Sequence, residues 1–168
     1  LLAVYGVGAG FHAGGGFHHV AACIKLGIVR HDGILAHYVG IGLIGGSMAV
    51  DLKKRGFADR VVGVEQDALH AAAAQELGLV DEIVDYETCV ATSDIIVVAV
   101  PVSAAIRIIP DILDKVDRQV VTDVCSTKEK INDLVRYHPN RKNFVAAHPM
   151  AGTEYSGPWA ALPGLFDG

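Results

Sequence analysis

From residue 34 onward the chain alternates short, uninterrupted apolar runs with longer stretches of mixed apolar and polar positions. The runs at 34–39, 60–65, 94–99, 119–124 and 143–147 predict strands, with a short one near Ile83 and Val84. Ile95-Ile96-Val97-Val98-Ala99-Val100 contains no polar position. Such a run fits a strand covered on both faces, as in a parallel sheet. The stretches at 43–55, 68–77, 87–91, 102–115 and 127–136 predict helices. Gly56 and Gly78 stand where helix C-terminal glycines belong. Strands alternating with helices predict a doubly wound α/β domain over residues 34–168. Ligands of such a sheet gather at the carboxyl ends of the strands, where the strand order reverses.

Residues 1–33 break the pattern. They hold eight glycines, four histidines and one acid, Asp32. Leu2 to Gly8 faintly echoes Leu35 to Gly42, but Phe11 stands where a third glycine is needed. His12, His18 and His19 cluster without Cys or carboxylate partners, so no metal site is expected. The segment is expected to be extraneous or poorly ordered, or to form a weak helix around 20–29. His37 interrupts the otherwise apolar first strand, which suggests that the residues before about Tyr38 are unrelated to the rest.

The first chemistry lies between the first two strands. Gly40-Ile41-Gly42-Leu43-Ile44-Gly45-Gly46-Ser47 follows one strand and opens a helix, and the next strand ends in Glu65, about twenty residues after Gly45. Together these form a Rossmann-type dinucleotide-binding unit. Gly40 permits the tight turn, Gly42 lets the backbone approach a pyrophosphate, and Gly45 lets the helix pack on the strand. The helix N-terminus offers free N–H groups and a positive dipole end to phosphates. Glu65 can accept hydrogen bonds from ribose hydroxyls, and no Arg follows it (Gln66, Asp67). The predicted cofactor is therefore NAD rather than NADP. Leu43, Ile44 and Pro101, which follows the third long strand, complete the predicted cofactor contacts.

Composition narrows the picture. The chain has 168 residues, 51% hydrophobic and 20% charged, which suits a single globular domain. The net charge of −5 provides no basic footprint for nucleic acid. No apolar run approaches a transmembrane length, so no membrane partner is expected. Three cysteines without a CxxC pair suggest a reducing, cytoplasmic compartment.

Two further strand ends carry polar groups. Asp123-Val124-Cys125-Ser126-Thr127-Lys128 follows one, and Ala147-His148-Pro149-Met150-Ala151-Gly152-Thr153-Glu154 follows the last. Imidazole titrates near neutrality, so a His facing a cofactor crevice is an acid/base candidate. His148 also fits a buried histidine bonded to backbone. Ser126 with Glu129 fits a helix capping box. Asp123 and Lys128 fit a simple ion pair, and Cys125 a small core residue.

The Gly40–Ser47 turn, Asp123-x-x-Ser126-Thr127-Lys128 and the His148-Pro149-Met150-Ala151-Gly152-Thr153-Glu154 motif, in this order, resemble the prephenate dehydrogenase family of tyrosine biosynthesis. Ser156-Gly157-Pro158 and Gly164-Leu165-Phe166 continue the resemblance. It implies NAD-dependent oxidative decarboxylation of prephenate to 4-hydroxyphenylpyruvate. It implies that His148 polarises the ring hydroxyl and that Ser126 orients His148 and contacts substrate. Thr153 and Glu154 would then lie at the substrate mouth. The family continues into a helical domain that dimerises and supplies cations to the substrate carboxylates. This chain is therefore expected to be the cofactor-binding portion of a homodimeric enzyme, with that domain absent and little activity of its own. Arogenate as substrate, or a non-catalytic NAD-binding module, are the alternatives.

Overall fold

A computed structural model describes residues 2–5 and 33–167, the first group as backbone only. The seven strands are β1 (Leu2–Tyr5), β2 (Leu35–Val39), β3 (Arg60–Val64), β4 (Glu82–Ile83), β5 (Ile95–Val98), β6 (Val120–Asp123) and β7 (Phe144–Pro149). The helices are α1 (Leu43–Lys54), α2 (Ala68–Glu76), α3 (Tyr86–Thr92), α4 (Val102–Lys115) and α5 (Glu129–Val135). Strands run in the order β1-β7-β6-β5-β2-β3-β4. All pairings from β2 to β7 are parallel; β1 joins β7 antiparallel, with Ala3 opposite His148. The order reverses at β2, which is flanked by β3 and β5, as a doubly wound dinucleotide fold requires.

Apolar side chains cover both faces. Tyr38, Met48, Leu52, Val61 and Phe166 belong to one buried cluster; Val39, Ile96, Ile109, Leu113 and Phe144 belong to the other. The four residues of β5 are all buried. Each such side chain contributes about 1.5–3 kcal/mol, enough that a charge in this run would open the sheet. Helix ends are built locally. After α1, Gly56 N–H donates to Lys53 O and Phe57 N–H to Leu52 O; Gly78 and Leu79 repeat the motif after α2. Asp67 caps α2 by accepting from Leu69 and His70 N–H. Those bonds, His70's first, hold its carboxyl below the usual range.

Three sequence expectations change. Residues 2–5 form an edge strand, which the reading of residues 1–33 had not assigned; the expected helix around 20–29 lies outside the described residues. β2 runs straight through His37, whose ring is 1% exposed and lies 3.5 Å from Thr92 Oγ1. His37 is thus an integral part of the strand rather than a break in it. The helix expected from 127 begins at Glu129, with Lys128 at the N-cap and no side-chain cap, so the Ser126–Glu129 capping box does not form.

Candidate functional site

The carboxyl ends of β2, β3 and β5 open into a cavity of about 1190 Å³. Its walls include Val39, Gly40, Gly42, Leu43 and Ile44 from the Gly-rich turn, Glu65 from the end of β3, and Pro101 from the start of α4. Six of the seven predicted cofactor residues thus line one space. Gly45, the seventh, lies behind it: a Cβ there would meet Gly40 O at 2.2 Å. Gly40 has φ +93°, and a Cβ would stand 2.7 Å from Ala99 O. Gly42 differs from both. A Cβ there would meet nothing within 4 Å, so open space lies where a pyrophosphate would come close to the backbone.

Glu65 ties the two sides of this space. Its carboxylate accepts from Ile41 N–H at 3.2 Å and Asp67 N–H at 3.1 Å. A carboxylate has about four lone-pair sites, so capacity remains for ribose hydroxyls. The open approach at Gly42, the helix N-terminus behind it and this acid fit a dinucleotide with an unphosphorylated ribose.

Several wall residues were not predicted. Tyr86 donates to Asp111 Oδ2 at 2.5 Å, and Lys115 Nζ sits 4.7 Å from the centre of its ring. Arg107 and Ile108 extend this wall along α4, and Tyr155, Ser156 and Gly157 add a segment from beyond β7. No motif marks Tyr86, Arg107, Ile108 or Asp111, and Ser156 and Gly157 belong only to the family resemblance; the fold brings them to the cavity.

The predicted substrate residues stand outside that cavity. Asp123, at the end of β6, is fully buried. It accepts from Cys125 N–H at 3.0 Å and pairs with Lys128. This pinned turn presents Ser126 exposed at its outer edge. Cys125 is buried, and burial together with the Asp123 charge pushes its thiol up to about 12, so it stays protonated at neutral pH. His148 is half-buried and lies inside β7, one residue before its end, rather than beyond the strand as expected. Thr153 and Glu154 are exposed, and Thr153 Oγ1 accepts from Tyr155 N–H at 3.3 Å. They directly precede the three cavity residues 155–157. Among the described residues no group of His, Cys, Asp and Glu could hold a metal ion, and no helix is long and apolar enough to cross a membrane.

Residues 48–168 match the family described as prephenate dehydrogenase, nucleotide-binding domain. The chain belongs to this family. A prephenate dehydrogenase of Bacillus subtilis (strain 168) is 35% identical over 132 residues, covering 76% of this chain and 36% of that protein. The A. aeolicus prephenate dehydrogenase, crystallised with hydroxyphenyl propionate and NAD+, is similar with TM-score 0.67 at 28% identity. The overlap covers 79% of this chain and 47% of that one. Synechocystis arogenate dehydrogenase is similar with TM-score 0.65 at 29% identity, over 79% of this chain and 46% of that one. The chain thus spans 36% of the Bacillus relative's length and just under half of each of these two structures. The cavity at the strand ends is the candidate nucleotide site of this domain.

Proposed function

We propose that this chain is the NAD-binding portion of a dehydrogenase that oxidatively decarboxylates prephenate to 4-hydroxyphenylpyruvate in tyrosine biosynthesis. The observation that carries it is the joint arrangement at the strand ends: Gly42 open to a pyrophosphate, Glu65 beside it, Ser126 in the turn after β6 and His148 in the neighbouring strand β7. NAD+, when bound, supplies the hydride acceptor. Gly40, Gly42, Leu43, Ile44, Gly45, Glu65 and Pro101 hold and orient it. A His148 ring nitrogen takes the proton of the substrate ring hydroxyl as the carbonyl forms. Ser126 orients His148 and touches substrate, and Thr153 and Glu154 flank the entrance. A homodimer and a cytoplasmic setting belong to this proposal and rest on the family resemblance. Arogenate is the second candidate substrate, because similarity to an arogenate dehydrogenase is nearly equal in extent.

The cofactor half is tested by calorimetric titration of the chain with NAD+ and NADP+. A carboxylate at Glu65 repels a 2′-phosphate, so NAD+ binds more tightly, and Glu65→Ala narrows the difference. Tighter binding of NADP+ by the unaltered chain would refute the assignment.

A further inference from the structure

Ser47, Asp51 and Arg55 lie four residues apart on one face of α1 and its C-cap. All three reach the segment that follows the site. Leu162 N–H donates to Ser47 Oγ at 2.9 Å, Gly164 N–H donates to Asp51 Oδ1 at 2.8 Å, and Arg55 pairs with Asp167. Ser47 is 0% exposed and Asp51 2%. A carboxylate so deeply buried is costly unless it is hydrogen-bonded; Gly164 N–H is the partner of Oδ1, and Oδ2 has none among the described residues. Phe166, on the same segment, is buried in the cluster that contains Met48 and Leu52 of α1. Trp159 meets His70 of α2 edge-on, with ring centroids 5.4 Å apart.

The segment starts at Tyr155, Ser156 and Gly157, which line the cavity. α1 starts at the Gly-rich turn, and Ser47 Oγ donates to Leu43 O at 2.6 Å, where Leu43 is itself a cavity residue. One helix therefore holds the phosphate turn at its beginning and the segment carrying another wall along its side. We propose that Ser47, Asp51 and Arg55 are positioning residues: they dock residues 155–167 so that Tyr155–Ser156–Gly157 complete the nucleotide cavity, and NAD+ affinity depends on that docking. The proposal rests on reading the cavity as an NAD+ site. A purely structural anchor would protect stability and leave affinity alone.

The two are separable in the chain itself. Asp51→Ala removes the acceptor, whereas Asp51→Asn keeps an oxygen able to accept from Gly164 N–H. Gly164 has φ +77°, so Gly164→Ala strains the segment from its own side without altering α1. Trp159 is the single tryptophan of the chain, so its fluorescence anisotropy reports docking without a label. NAD+ affinity is measured in parallel by calorimetry. Asp51→Ala and Gly164→Ala are expected to lower Trp159 anisotropy in the absence of nucleotide. Both weaken NAD+ binding roughly tenfold, the size of one charge-assisted hydrogen bond, while Asp51→Asn restores both readings. Lowered anisotropy with unchanged affinity overturns the proposal, and so does unchanged anisotropy in both variants. If Asp51→Ala does not fold, Gly164→Ala decides between the same outcomes. An unaltered chain that binds no NAD+ while its anisotropy still falls in the variants refutes the cofactor assignment and leaves the anchoring intact.

Discussion

His37 shows how one residue sets the acid response of the fold. It occupies the central strand β2, almost fully buried, and Nδ1 has no hydrogen-bond partner among the described residues. Burial, helped by the Arg60 charge and opposed by Asp94, lowers its pKa from 6.5 to about 4. The unfolded chain takes up this proton on acidification before the folded chain does. The stability associated with neutral His37 is therefore complete above pH 6.5 and drains away as pH falls toward about 4. The shift corresponds to roughly 3–4 kcal/mol as an upper bound. His37→Val suits a buried strand and strands no hydrogen-bond partner apart from the long Thr92 contact. Urea unfolding at neutral pH and at about pH 4.5 should show a smaller loss for the variant than for the unaltered chain. Equal losses in both would mean that other groups set the acid response.

At the scale of single elements, the glycines of the β2–α1 turn separate folding from binding. Gly42→Ala adds a methyl to open space, so its melting temperature should stay close to that of the unaltered chain. The same methyl intrudes where phosphates approach, so NAD+ binding should be largely lost. Gly45→Ala collides with Gly40 O and should lower stability by about 1–3 kcal/mol, with binding lost as a consequence. Thermal melts paired with titration distinguish them; a Gly42→Ala protein that binds NAD+ normally would place the phosphates elsewhere. These glycines were legible because each answers to local backbone geometry, which sequence spacing encodes. The long apolar runs were legible for the same reason, and β5 appears almost where its run predicts. What depends on the fold was not. Tyr86, Arg107 and Ile108 reach the cavity only once distant strands pair, and nothing near them in sequence marks them. Ser126 with Glu129 carried a local capping signal, yet the Asp123–Lys128 pair holds the turn and the helix starts later. Tertiary contacts overrode a plausible local pattern. The polar stripe of α1 was not read from the sequence, because its partner lies more than a hundred residues away.

Across the whole molecule, the proposed cofactor and substrate residues occupy different strand ends, which predicts that the two functions can be lost separately. The candidate nucleotide cavity gathers at β2, β3 and β5, while Ser126 lies in the turn after β6 and His148 in β7. Prephenate carries two carboxylates, and Lys128, the cation just after Ser126, is already held by Asp123. The 168-residue chain should therefore bind NAD+ yet form NADH from prephenate only in traces. A longer protein that joins this chain to a region supplying cations should turn over. In that protein His148→Asn should reduce kcat by about 10²–10⁴-fold, the usual range for a lost acid/base group, and leave NAD+ affinity unchanged. Ser126→Ala should be milder, because it removes an orienting group and no helix cap. NADH absorbance follows turnover, and titration follows binding in the same samples. Near-normal turnover by His148→Asn would remove it as the base. Efficient turnover by the 168-residue chain would show that the residues of this domain hold the substrate carboxylates without help. Comparing prephenate with arogenate in these assays also identifies the substrate, since arogenate bears an amino group where prephenate bears a keto group.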